Sequence, residues 1–229
     1  MGELKDHILK WLKDRIDKKQ HVEVISFYNE VPVHVKLVPT SVEGFKTVGW
    51  ESNPKLIPAV DQTQAFYIPF VHPVHKEREI LSAGVLYYGK DYIETTFPSF
   101  SIDPRFKRNS VRIKVSDLKP VIVRINDGEK TLTLRALDIS EGGVGVEAEK
   151  GTFSLNEELM LDLKFPDGKE VNNIFGKVVN VESLMPDKKK EKAGIAFLKI
   201  REKDKDVINR YIVQRQKEII NEFKMFCEE

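Results

Sequence analysis

The sequence predicts a mainly β protein with two small antiparallel β-barrels, an N-terminal helix and a C-terminal helix. Three observations lead to this fold class. Short stretches in which apolar and polar residues alternate recur through most of the 229 residues. Turn-forming residues separate many of these stretches, and helical spacing of apolar residues is confined to the two ends of the chain. Closely spaced strands without intervening helices favour antiparallel barrels or sandwiches.

The composition indicates a globular protein in a reducing compartment. Hydrophobic residues make up 41% of the chain and charged residues 32%, and the length suffices for two small domains. A single cysteine, Cys227, excludes an internal disulfide, so we expect a cytoplasmic location. The start of the sequence lacks signal-peptide character. The sequence contains no run of 18 apolar residues, so we expect no membrane insertion.

The charge balance bears on the class of partner. The chain has 37 basic and 36 acidic residues, a net charge of +1. DNA- and RNA-binding domains usually carry a broad basic surface. We therefore expect no DNA partner. A general RNA-binding barrel is a minor alternative, which would show steep salt dependence.

The first element is an amphipathic helix over residues 3–20. Its apolar residues recur at helical spacing and are Leu4, Ile8, Leu9, Leu12 and Ile16. Such a stripe either packs against the following domain or docks a partner. Because the stripe is ordinary in width, we favour packing on the first domain.

Residues 1–98 form the first predicted domain, the helix plus a split-barrel-like β domain. Its strand-like stretches are 22–25, 31–38, 45–50, 65–70, 79–88 and 92–97. Turn residues between them include Gly44, Pro58 and Gly89. Around Pro73, His72 and His75 lie three apart, but no cysteine or carboxylate cluster accompanies them, so we predict no metal site.

Residues 99–110 form the predicted interdomain hinge loop. Pro98 and Pro104 flank small polar residues, which disfavours regular structure. Basic side chains follow at once, and between residues 105 and 114 there are five cations and no acid. Arg108 and Arg112 are spaced R-x-x-x-R, and alternation from Val111 onward places Arg112 at the start of a strand. A charge run of this kind is usually a solvated face.

Residues 111–229 form the second predicted domain, a barrel followed by a helix. Its seven strand-like stretches are 111–115, 121–125, 130–138, 144–148, 158–165, 172–183 and 192–198. Residues 126–128 and 166–168 are turn signals, and residues 185–192 suggest a charged hairpin tip. The helix over residues 201–226 has one apolar face. It either caps the barrel or pairs with a second copy, so a homodimer stays open.

A second motif lies at the end of the third of these stretches. Asp138 to Gly143 reads D-x-S-x-x-G, and Asp138 and Ser140 point the same way on an extended chain. Arginine forks bind phosphates and guanine edges bidentately. A carboxylate with a neighbouring hydroxyl accepts guanine N–H groups or orients the arginines. The two motifs together favour a small, doubly anionic guanine nucleotide as ligand.

R-x-x-x-R followed by D-x-S-x-x-G, with strand-like sequence between, resembles the PilZ domain, the bacterial receptor for cyclic di-GMP. The stretches 176–179 and 193–197 resemble later PilZ strands, and a variable domain ahead of PilZ is typical of the flagellar-brake type. The resemblance implies a ligand site whose residues are Lys107, Arg108, Arg112, Asp138, Ser140 and Gly143. It also implies that the residue at Lys107 influences whether one or two ligand molecules bind.

The resemblance further implies a receptor that passes a cyclic di-GMP signal to a protein target in motility or exopolysaccharide control, without a cofactor. The cations around the hinge should repel one another, and a bound dianion would order this segment and change the domain arrangement. One alternative is a degenerate PilZ scaffold that binds proteins but no nucleotide. A less favoured one is a split-barrel flavin enzyme. Because no P-loop, nucleophile elbow or paired catalytic carboxylates occur, we predict no enzyme activity.

Overall fold

The computed structural model describes residues 2–108, 110–126, 131–184 and 189–228. Residues 127 and 128 of the predicted 126–128 turn and residues 185–188 of the predicted 185–192 hairpin tip fall outside the described residues. The chain divides into two compact units. The first unit comprises Met1–Arg108 and Ile219–Glu229, and the second comprises Asn109–Glu218.

The first unit is built on a curled, half-barrel antiparallel sheet. Its strands run in the order β2-β1-β5-β6-β7-β4-β3, with β8 paired to β6. In chain order the elements are α1 (Gly2–Asp17), β1 (Val22–Tyr28), β2 (Val31–Leu37), β3 (Pro39–Glu43), β4 (Thr47–Glu51), a 3-10 helix (Pro54–Leu56), α2 (Ile57–Thr63), β5 (Ala65–Val71), β6 (Arg78–Tyr88), β7 (Tyr92–Thr96), β8 (Ser99–Phe100) and a second 3-10 helix (Pro104–Lys107).

The core of this unit lies between α1 and the concave sheet. Ile8 and Leu12 of α1 are buried, so the predicted apolar stripe packs on the first unit. Trp50 is fully buried edge-to-face against Phe66, and its Nε1–H donates to Oγ1 of Thr95 at 3.0 Å. The indole therefore contributes apolar area to the core while its polar group is satisfied.

α2 is a helix where the sequence indicated turns. The sequence predicts Pro58 to be a turn residue that separates two strands. In the structure it occupies the first turn of α2, where a proline is tolerated because the N–H group that it lacks has no helical partner. Ala59 and Val60 are buried, so tertiary packing stabilises this short helix.

The second unit is a closed six-stranded barrel. β10 pairs with both β11 and β13, which closes the path β10-β13-β14-β15-β12-β11, and β9 pairs with β11 outside the ring. The elements are β9 (Arg112–Lys114), β10 (Ile122–Asn126), β11 (Thr131–Ser140), β12 (Gly143–Glu149), β13 (Glu158–Lys164), β14 (Glu170–Ser183), β15 (Lys190–Lys199) and α3 (Glu202–Glu228). The predicted mainly β fold with a helix at each end is confirmed.

Alternation along the strands decides which side chains fill the barrel. Val144, Val146 and Ile195 are buried inside it. Gly143, Gly145 and Glu147 of β12 have the opposite parity and therefore face outward. The first part of α3 also packs in this unit, where Ile208 and Ile212 are buried. No helix in the described part of the chain is long and apolar enough to cross a membrane.

Candidate functional site

Asp138 is the centre of the candidate site. It lies on β11 beside a β-bulge, opposite Lys114 of β9 and opposite Gly145 of β12. Only 5% of Asp138 is exposed. A Cβ atom on Gly145 would lie 2.9 Å from both carboxylate oxygens, so this glycine makes room for the carboxylate on the sheet surface. A carboxylate buried to this degree requires cationic or hydrogen-bonding partners.

Two cations lie beside the Asp138 carboxylate. Arg112 Nε lies 3.5 Å from Oδ1 of Asp138, and Lys192 Nζ lies 2.6 Å from Oδ2. About a third of the Arg112 side chain and a quarter of the Lys192 side chain are exposed. The cluster of one carboxylate and two cations has a net charge of +1 and presents it to solvent, which suits an anionic ligand.

Ser140 and Gly143 close the hairpin between β11 and β12. Ser140 lies opposite Gly143 on one side and opposite Arg112 on the other. The Ser140 hydroxyl donates to the Gly143 carbonyl at 3.4 Å, a long contact that leaves the hydroxyl weakly engaged. A Cβ on Gly143 would lie 2.6 Å from the Ile195 carbonyl oxygen, so glycine allows β12 and β15 to approach.

The structure therefore brings four of the six predicted site residues together on one outer face of the barrel. They are Arg112, Asp138, Ser140 and Gly143. The other two, Lys107 and Arg108, belong to the first unit. Lys107 ends the second 3-10 helix, and Arg108 Nη1 contacts Oε2 of Glu30 at 2.6 Å.

Arg105, another cation of the basic stretch, is also engaged within the first unit. Its guanidinium bonds Asp103 through Nη2 at 2.6 Å, donates to the Tyr67 hydroxyl at 2.7 Å and lies 4.1 Å from the centre of the Phe27 ring. The Tyr67 hydroxyl donates to Asp103 at 2.5 Å. Carboxylates therefore compensate the charges of Arg105 and Arg108. The mutual repulsion that the sequence predicts among the hinge cations is offset for these two arginines.

The network shifts the titration of its members. Burial opposes ionisation of Asp103, but hydrogen bonds from Arg105 and Tyr67 outweigh it and lower the pKa of Asp103 to about 2. Burial and the bond to Asp103 raise the pKa of Tyr67 to about 12. Asp103 is therefore charged and Tyr67 neutral at neutral pH, which keeps the network intact.

Lys192 and Glu30 belong to neither sequence motif, although each contacts a motif residue in the structure. Each contacts a motif residue from a distant strand or turn, so no spacing rule connects them. The alternation of β15 does place Lys192 on the same outward face as Gly194, which pairs with Gly145. That signal becomes usable only when the strand pairing is known.

His72 and His75 stack at 4.7 Å between ring centres. The His72 Nδ1 atom accepts hydrogen bonds from the backbone N–H groups of Val74 and His75, each at 3.3 Å. Across the described ranges, no three histidine, cysteine, aspartate or glutamate side chains are placed to hold a metal ion.

The six-stranded barrel, with Arg112, Asp138 and Lys192 on its outer face, was compared with known protein families. Residues 106–214 match the family model of the PilZ domain. This match covers the barrel, both motifs and the beginning of α3. Residues 106–214 therefore form a PilZ domain, as the two motifs indicated, and a second β unit precedes that domain in the chain.

Two sequence relatives come from Aquifex aeolicus (strain VF5), and both are uncharacterised proteins. The first is 27% identical over 149 residues, which are 65% of this chain and 63% of the relative. The second is 27% identical over 164 residues, 62% of this chain and 68% of the relative. The chain thus spans a little under two thirds of the length of the first relative.

Solved structures resemble the chain over nearly its full length. A complex of K. pneumonia MrkH with c-di-GMP superposes with a TM-score of 0.52 at 14% identity, covering 95% of this chain and 96% of MrkH. YcgR of Escherichia coli, in complex with c-di-GMP, gives a TM-score of 0.48 at 12% identity, covering 95% and 93%. At such identities the MrkH likeness shows a common fold with two β units.

Proposed function

We propose that the protein is a cytoplasmic receptor for cyclic di-GMP. The single observation that carries the proposal is the cluster of Arg112, Asp138 and Ser140 on one outer face of a PilZ domain. Cyclic di-GMP has two phosphodiester charges and two guanine edges. A cationic fork next to a carboxylate and a weakly engaged hydroxyl matches both kinds of group.

Each residue has a chemical role in this proposal. Arg112 binds a phosphodiester or a guanine O6/N7 edge with its fork. Asp138 accepts the N–H donors of a guanine edge, and Ser140 adds a hydroxyl contact. Gly143 keeps the strand surface close to the ligand. Arg108 contributes the second fork of R-x-x-x-R.

Lys107 precedes that motif and influences the stoichiometry. A cation at this position favours two ligand molecules over one. Lysine lacks the planar fork of arginine, so its contribution is a point charge. The number of molecules bound is read directly from a titration.

Binding is also proposed to change the arrangement of the two units. Arg108 contacts Glu30 within the first unit, so it must exchange a carboxylate for the ligand. The ligand shifts the arrangement by its difference in affinity between the two states. Small-angle scattering should therefore give different radii of gyration without ligand and with saturating ligand, and identical profiles would contradict this part of the proposal.

The signal is proposed to pass to a protein target in motility or exopolysaccharide control. The net charge of +1 favours a protein over DNA as partner. The alternative is a PilZ scaffold that binds proteins but no nucleotide.

Isothermal titration of the purified chain with cyclic di-GMP, with GTP as the control ligand, tests the proposal. We expect binding at micromolar or lower concentration for cyclic di-GMP and no comparable heat for GTP. Sedimentation of the same samples reports whether the protein dimerises. A folded protein that gives no heat at tens of micromolar ligand would refute the receptor and support the scaffold.

A further inference from the structure

Lys192, on the outer face of β15, contacts one of several nearby carboxylates. In the strand register it lies opposite Glu147 of β12 and Glu182 of β14. Its ammonium nevertheless contacts Asp138, at 2.6 Å from Oδ2. Glu147 forms its ion pair with Lys190, two residues earlier on the same strand. Two adjacent outward lysines thus have different carboxylate partners.

The two cations on Asp138 are held at different distances. Lys192 is within hydrogen-bonding range of Oδ2, whereas the contact between Arg112 Nε and Oδ1 is 3.5 Å, beyond that of a normal hydrogen bond. Because Asp138 is 95% buried, its charge needs a close counter-ion. Lys192 provides that counter-ion, so Arg112 does not have to.

We propose that Lys192 is a positioning residue of the ligand site. It holds the Asp138 carboxylate in the orientation that meets a guanine edge. By balancing that charge it also leaves the Arg112 fork available to an anionic ligand. This inference rests on the proposed function and adds to it a residue that lies outside both sequence motifs.

The charge count explains why the second cation matters. With Lys192 the cluster carries +1, while without it Arg112 and Asp138 form a neutral pair. The uncompensated carboxylate would then draw Arg112 toward itself. A dianionic ligand would have to break that pair before it could bind, which weakens binding without any lost ligand contact.

Lys192→Met removes the charge and keeps the aliphatic stem. We expect its affinity for cyclic di-GMP to fall about tenfold, the range of one charge-assisted hydrogen bond. Lys190→Met is the matched control, since it removes an outward lysine of the same strand that pairs with Glu147 instead, and it should bind within twofold of wild type. Lys192→Arg keeps a cation and should restore most of the affinity.

A double-mutant cycle separates positioning from direct ligand contact. In an Asp138→Asn background no carboxylate remains to be balanced, so adding Lys192→Met should change affinity by less than twofold. An equal loss in both backgrounds would overturn the proposal and assign Lys192 to the ligand itself. Unchanged binding by the single variant would overturn it as well.

A measurement on the ligand-free protein tests the same role independently of binding. The Arg112 Nε–H exchange rate, followed by nitrogen-15 NMR, should fall in Lys192→Met as Asp138 captures the guanidinium, and should stay unchanged in Lys190→Met. No slowing would overturn the inference. A wild-type chain that fails to bind cyclic di-GMP would refute the proposed function, and this exchange experiment would still decide the role of Lys192.

Discussion

Arg108 Nη1 lies 2.6 Å from Oε2 of Glu30 within the first unit. About a quarter of the Arg108 side chain and a third of the Glu30 side chain are exposed, so the ion pair is partly shielded from solvent. The first arginine of the R-x-x-x-R motif is thus paired with a carboxylate of its own unit. If Arg108 also binds cyclic di-GMP, Glu30 competes with the ligand for it.

Removing Glu30 should therefore raise the affinity for cyclic di-GMP. A partly exposed ion pair contributes up to about 1 kcal/mol, so Glu30→Gln should bind roughly two- to fivefold more tightly. Isothermal titration measures this change. The control is Glu23→Gln, which removes a carboxylate of β1 that contacts His34 and should bind as wild type does. Weaker binding by Glu30→Gln would show that Glu30 supports the site instead of competing with it.

Arg112 should be the most sensitive arginine of the site. Arg112→Ala removes a charge-assisted fork and should weaken binding by on the order of 1.5–3 kcal/mol. Arg112→Lys should recover only part of this, since lysine has no planar fork. Arg124→Ala on β10, whose arginine contacts Glu170 at 3.8 Å, is the control and should leave the titration curve unchanged. Equal affinity of Arg112→Ala and wild type would refute the assignment of Arg112.

Much of the fold was predictable because period-two alternation reports burial directly. In β12 the residues Val144 and Val146 fill the barrel, while Gly143 and Glu147 face out, as alternation requires. α2 was missed because its seven residues are too few to establish a helical period and include a proline. Its stability comes from buried neighbours, which local sequence does not report.

The arrangement of the candidate site was predictable where its residues are close in sequence. Asp138 and Ser140 share a face because they are two apart on one strand, and β9 brings Arg112 opposite Ser140. The partners Lys192 and Glu30 come from tertiary pairing and leave no local signal. Arg105 belongs to the same basic stretch, but it forms an ion pair with Asp103, two residues earlier.

The Asp103 network should give stability a measurable dependence on acid. The pKa of Asp103 is lowered to about 2 from an ordinary value of 3.8, so its contribution is complete above about pH 4 and is lost as pH falls toward 2. Asp103→Asn should lower the free energy of unfolding at pH 7 by on the order of 1–3 kcal/mol. Urea unfolding at pH 7 and at pH 2.5 measures the difference between the two proteins, which should shrink at the lower pH.

The matched control for that experiment is Asp167→Asn. Asp167 contacts Lys169 at 2.7 Å, but half of its side chain is exposed, so its removal should change stability little at either pH. A gap between wild type and Asp103→Asn that stayed constant down to pH 2.5 would show that the Asp103 charge does not stabilise the first unit.

Gly143 should be required by the barrel for a steric reason. A Cβ at this position would lie 2.6 Å from the backbone oxygen of Ile195, and backbone cannot rotate away as a side chain does. Gly143→Ala must therefore push β12 and β15 apart, at a cost of about 1–3 kcal/mol in the free energy of unfolding.

Its neighbour Gly142 provides the comparison. A Cβ at Gly142 would meet nothing within 4 Å, so Gly142→Ala should stay within about 0.5 kcal/mol of wild type. Urea titration followed by circular dichroism compares both variants in the same hairpin. Equal stability of the two variants would mean that β12 and β15 separate without cost, and it would contradict the steric requirement for glycine at position 143.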